Sequence, residues 1–317
     1  MKQQHHKNRN GLCVKSEPSL KRLIAHHALR ITHYGFTLVE LMIAIFIGMI
    51  IIGATYAAYI SQQRSFTSQD QVVEMNSTSK IALDMISNDI RETGFGVPTD
   101  LTTIQRLSGC LGINGYLQSI NITDRTNGTD EITILGGFRL IGNIAAGVNT
   151  GSTTLTLSSI SNLNTTDRSY ISIAGLGFAI ITGISGNTLT LHNSTPADRP
   201  YPSGVPVYLV ENITYQVVNR QLQKIRRLGS SGCSTNSDID VIAENIDDFQ
   251  VITVDTNDDG TADRIRINIL ARTLRPDLNF QGQGNPPAQI ENRNHAPTTD
   301  SFRRRWWQME VDLRNQT

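Results

Sequence analysis

Gly35-Phe36-Thr37-Leu38-Val39-Glu40-Leu41-Met42 opens an apolar run that continues to Ile60, and Glu40 is the only charged residue between Phe36 and Ile60. As a helix rising about 1.5 Å per residue, that run reaches about 37 Å, enough to cross a hydrocarbon core of roughly 30 Å. A carboxylate inside such a span costs about 3 kcal/mol at its centre. Glu40 sits near one end, where the cost is lower, but it still calls for a partner. An ordinary secretory signal has an apolar core of only about 7–15 residues and a small-residue cut site, which Ala54–Ala58 would supply. The run is longer than that and carries Glu40. A plain signal anchor accounts for length and flanks but gives Gly35-Phe36 and Glu40 no task.

Gly-Phe-Thr-Leu-x-Glu followed by about twenty apolar residues resembles the class III signal of type IV prepilins. The resemblance implies that a prepilin peptidase cuts between Gly35 and Phe36 on the cytoplasmic face. It implies that the same enzyme methylates the new amine of Phe36. It also implies that Glu40 pairs with an N-terminal amine of an adjacent subunit as the fibre grows.

Charge is distributed to match. Residues 1–35 carry Lys2, Lys7, Arg9, Lys15, Lys21, Arg22 and Arg30 against Glu17, a net of +6. The whole chain has 28 basic and 28 acidic residues, so the remainder is at −6. Positive charge ahead of an apolar span holds that side in the cytoplasm and sends the rest outward. A head of net negative charge is a poor general nucleic-acid binder. The leader's His5, His6, His26, His27 and His33 fit a disordered segment better than a metal site. Cys13 falls in the leader. Cys110 and Cys233 would lie in an oxidising compartment, either bridged or as two separate thiols.

Beyond Ser61, Val72, Met75, Ser79, Ala82, Ile86 and Ile90 recur at three- and four-residue steps, with Val73, Ile81 and Met85 alongside. That spacing predicts one helix from Phe36 to Thr93, stopped by Gly94, Gly96 and Pro98. After Pro98, runs of Ile, Leu, Val and Thr alternate with turn residues. Strands are expected near 131–135, 153–157, 170–174, 178–182, 188–191, 207–216, 222–226, 249–254, 265–271 and 306–313. In the last, Trp307, Met309, Val311 and Leu313 share one face. Residues 276–300, rich in Pro, Asn and Gln, read as a loop. The fold class is α+β and pilin-like: one long N-terminal helix packed on an antiparallel β-rich head. The expected layout is a cleaved leader at 1–35, a transmembrane half-helix at 36–60, an amphipathic periplasmic half at 61–95 and a head at 96–317.

Several later features, in order, resemble the PilW group of minor pilins. They are Asn88–Gly96, Glu244-Asn245-Ile246, the Asp-rich turn at 255–263, Arg272–Asp277 and the closing Arg303–Trp307 with Leu313–Asn315. The resemblance implies a minor pilin that primes fibre initiation in a tip subcomplex. Its partners would be prepilin peptidase, other minor pilins, the major pilin and the inner-membrane assembly platform. A type II secretion pseudopilin and a pilus-tip adhesin are the alternatives.

One stretch has metal-like spacing. Asp255, Asn257, Asp259, Thr261 and Asp263, with Gly260 sixth, match the first nine positions of a Ca²⁺ loop, but the twelfth is Arg266 rather than Glu. The other reading is a polar hairpin turn on Asp-Gly. No cofactor is required, and a bound Ca²⁺ would be structural. No catalytic motif stands out, Asp247-Asp248 reads as solvated surface, and Arg303–Arg305 with Trp306-Trp307 reads as a charged loop entering a core strand. A non-enzymatic protein is expected.

Overall fold

A computed structural model describes residues 35–97, 119–161, 163, 170–193, 196–229, 235–258, 262–277, 280, 286–296, 298 and 300–314. The chain falls into two compact units, Met1–Ser61 and Gln62–Thr317. Helix α1 (Leu38–Glu92) contributes residues to both. In the first unit its large apolar side chains are exposed, Phe46 at 66 % and Ile52 at 70 % among them. Among the described residues this is the one helix long and apolar enough to cross a membrane.

In the second unit α1 buries a single stripe of Met75, Ser79, Ala82, Leu83, Ile86, Ser87 and Ile90. Val73 and Ile81, expected beside that stripe, instead face solvent at 63 % and 56 %. The head covers one narrow face, and Leu83 and Ser87 complete it in their place. The helix ends where expected: Gly94 and Gly96 take the left-handed backbone, and the Gly94 N–H donates to the Leu135 carbonyl at 2.9 Å. Gly96 also allows close approach, since a Cβ there would fall 2.2 Å from Ser172 Oγ.

That stripe packs into a core between two antiparallel sheets. One contains β1 (Ile120–Thr123) and β2 (Glu131–Asn143), followed by β3 (Thr154–Thr156), β4 (Tyr170–Ile173), β5 (Gly177–Ser185) and β6 (Thr188–Leu191). It also holds β7 (Pro206–Val218), β8 (Gln221–Gly229) and β9 (Thr235–Glu244). The other sheet has β10 (Ile246–Val254) and β11 (Arg264–Arg272); β12 (Gln289–Ile290) and β13 (Arg293–Asn294) form a separate small hairpin, and β14 (Arg304–Asp312) completes the second sheet beside β11. Ile86, Ile90, Ile134, Tyr215, Phe249 and Ile267 meet in this core. Trp307, Met309 and Leu313 pack against it and Val311 lies within it, as their shared face requires. Buried Asp130 ties the two sheets: its carboxylate takes the Arg125 and Val251 N–H groups at 2.8 Å, and its own N–H reaches the Phe249 carbonyl.

A second core lies apart from α1. β2 and β7 are each used twice. Glu131–Gly136 pairs with the Glu211–Gln216 part of β7 in the first core. After a register shift between Gly136 and Arg139, the far ends of both strands enter a circuit β2-β7-β4-β5-β6-β3. That circuit returns to the end of β2 through an Ile144–Leu157 bridge and bonds from Ala145 N to Thr156 O and Ser158 N to Asn143 O, both 2.8 Å. The result is a small closed barrel filled by Ile141, Leu155, Ile171, Ile181, Leu189 and Val207. Closure removes strand edges that would otherwise be open.

Candidate functional site

The start of α1 is built by two side chains. Gly35, Phe36 and Thr37 precede the helix, and Phe36 is 87 % exposed. Uncovered, non-helical backbone at Gly35–Phe36 is what a protease needs in order to seat a peptide bond. Thr37 then occupies the N-cap. Its hydroxyl accepts the Glu40 N–H at 3.2 Å, while Glu40 Oε2 accepts the Thr37 N–H at 2.9 Å and the Thr37 hydroxyl at 3.0 Å. This is a reciprocal capping box, which satisfies two helix-end donors and places a negative charge at the positive end of the helix dipole. Both contacts on the carboxylate land on Oε2, so Oε1 remains available to a second donor. The Thr37-x-x-Glu40 spacing is the sequence signal for the box, and it coincides with the lone charge of the apolar run.

The Asp-rich turn joins β10 to β11. Thr256 N donates to Asp263 Oδ2 at 2.8 Å, Asn257 N to Asp255 Oδ1 at 3.2 Å, and the Asp263 N–H reaches the Val254 carbonyl at 3.0 Å. The Thr256 contacts hold the Asp263 carboxyl below the usual range. Asp259 and Thr261 lie outside the described residues, as do Cys13, Cys110 and Cys233. Among the described residues no group of three or more His, Cys, Asp or Glu is placed to hold a metal.

Asp247-Asp248 is not solvated surface. Asp248 is 1 % exposed and receives Gln250 Nε2 at 2.9 Å, His295 Nε2 at 2.8 Å and the Arg293 guanidinium. These contacts dock the β12–β13 hairpin onto β10, in a stretch that reads as loop from composition. Asp247 meets Arg304 at 2.7 Å and Arg272 at 3.4 Å. A buried carboxylate needs such partners to stay charged. The closing basic cluster is likewise used inside the fold: Arg303 pairs with Asp277 at 2.7 Å, Arg304 with Asp300 at 2.6 Å, and Trp306 Nε1 donates to Asn268 at 3.0 Å.

The chain matches the prokaryotic N-terminal methylation motif over residues 32–56, which spans the exposed Gly35–Phe36 bond, the capping box and the first turns of α1. No curated protein matches the chain. The motif suggests a type IV pilin-like or pseudopilin protein, and it implies processing by a prepilin peptidase and assembly with other pilins.

Proposed function

We propose that this chain is a minor pilin of the PilW kind that primes type IV pilus assembly from a tip subcomplex. It is made as an inner-membrane precursor, with residues 1–35 cytoplasmic and the head periplasmic. Cleavage between Gly35 and Phe36 removes the leader, and Phe36 is methylated. One observation carries the reading: the methylation motif runs directly into a helix that, as far as Ile60, presents apolar side chains to its surroundings with Glu40 as its sole charge.

The physics supports a role for Glu40 beyond capping. Oε2 is occupied by Thr37, and Oε1 can take the protonated amine of a neighbouring subunit. Pairing offsets the cost of holding the carboxylate in lipid. Such a protein needs no cofactor, and Ca²⁺ at the 255–263 turn would only stiffen a hairpin.

The motif is shared with type II secretion pseudopilins, so the test is genetic. Deleting the gene from its host should cut the number of surface fibres and leave protein secretion intact. Normal fibres with blocked secretion would assign the chain to the pseudopilins instead.

A further inference from the structure

Among the described residues β9 is the outer strand of its sheet, pairing with β8 and with no other strand. An outer edge presents a row of backbone donors and acceptors that can template another strand. Proteins guard such edges with charged side chains, Pro, bulges or early termination. β9 has neither Pro nor Lys and runs for 10 residues; its guards are Asp238, Asp240 and Glu244 and a register shift at Ile242. Acidic guards turn away acidic strands while admitting a basic one. From Ser237 to Val241 it is exposed on both faces. Ile239 and Val241 share one face at 57 % and 46 % exposure, and Asp238 and Asp240 share the other. Its C-terminal half opens on a groove of about 370 Å³ lined by Val241, Ile242 and Leu274 of the head and by Glu74, Met75 and Thr78 of α1.

The rim is acidic. Asp238, Asp240, Glu244 and, across the groove, Glu74 are all exposed. Among the described residues the cations beside it are engaged locally: Arg226 meets Asp240 at 2.6 Å, Lys224, the cross-strand partner of Asp240, meets Asp89 at 2.5 Å, and Arg272 meets Asp247 at 3.4 Å.

We propose that the β9 edge is a docking strand for an extended basic segment of a partner protein, with apolar and basic residues alternating, which adds to the sheet as a further strand. Main-chain bonds to β9 would supply the affinity. Side chains would supply the choice: apolar residues opposite Ile239 and Val241, Lys or Arg opposite Asp238 and Asp240. A second copy of this chain is the poorer occupant, because β9 laid on β9 would bring its acidic residues against like charge. This surface lies wholly within residues 62–317 and does not depend on cleavage at Gly35.

The test uses the full chain in detergent micelles and short synthetic peptides. An alternating Lys-Val peptide should slow backbone amide exchange within Ser237–Glu244 by about tenfold or more. A Glu-Val peptide, and a Lys-Pro peptide that cannot pair as a strand, should not. The double variant Asp238→Lys, Glu244→Lys changes only exposed side chains and should turn the preference toward Glu-Val. Absence of protection with Lys-Val would overturn the proposal. So would equal protection by Lys-Pro, or an unchanged preference in the double variant.

Discussion

The Thr37 hydroxyl and the Glu40 backbone N–H are 3.2 Å apart, and the Glu40 carboxylate reaches back to the Thr37 N–H at 2.9 Å. The acidic residue that the assembly signal supplies is therefore also the residue that starts the helix. Capping and pairing are separable, because Thr37 takes part only in the first. Thr37→Ala should weaken the first turn by about 1 kcal/mol, read as faster amide exchange at residues 38–41 in micelles. Unchanged exchange there would mean that lipid or detergent alone fixes the helix start.

Glu40→Ala removes both roles. The precursor should insert in the membrane as well as the wild type does, while its content in sheared fibres falls. Equal fibre content of mutant and wild type would contradict a pairing role for the carboxylate.

The two faces of α1 should respond differently to truncation. Ile86 is fully buried, and Ile81 is 56 % exposed. Ile86→Ala should cost about 2–5 kcal/mol, and Ile81→Ala no more than about 0.5 kcal/mol. Urea unfolding followed by the fluorescence of Trp306 and Trp307, the only tryptophans, separates the two. Equal losses would mean that the stripe has been placed wrongly.

Gly136 and Glu211 are register partners at the point where the first core ends and the barrel begins. Joining them through Asn-Gly in place of residues 137–210 should leave a head that still unfolds cooperatively by Trp fluorescence. A type I′ hairpin turn suits that junction. Loss of cooperative unfolding would show that the α1 core depends on the barrel.

Glu211 is 2 % exposed beside Arg139. Burial pushes its carboxyl above the ordinary range despite the opposing guanidinium. Between the ordinary glutamate pKa and the raised value, the folded state holds a proton that the unfolded chain has released. Its contribution to stability is present below the ordinary glutamate pKa and is lost as pH rises through the raised value, with a slope of at most about 1.4 kcal/mol per pH unit. Glu211→Gln should flatten that part of the stability curve. A curve that keeps the wild-type slope would count against the shift.

Much of this was readable from local pattern. The span and its lone charge needed only composition, and the strand expected at 188–191 is found at Thr188–Leu191. β9 was not foreseen because Thr235–Glu244 mixes small polar and acidic residues with few apolar ones, and its exposure on both faces removes the usual alternation. The barrel was not legible either. Its closure depends on which non-consecutive strands pair, and no single segment states that. Burial of Asp248 depends on Arg293 and His295, which lie 45 and 47 residues further along. By contrast, the Thr37–Glu40 box lay in plain view, four residues long. Its signal was masked by the stronger meaning given to the same carboxylate.

The most direct measurement is the N-terminal sequence and intact mass of the protein produced with and without a prepilin peptidase. The account predicts a chain beginning at methylated Phe36 only when the peptidase is present. An uncut chain in its presence, or one cut beyond Ala54, would contradict it.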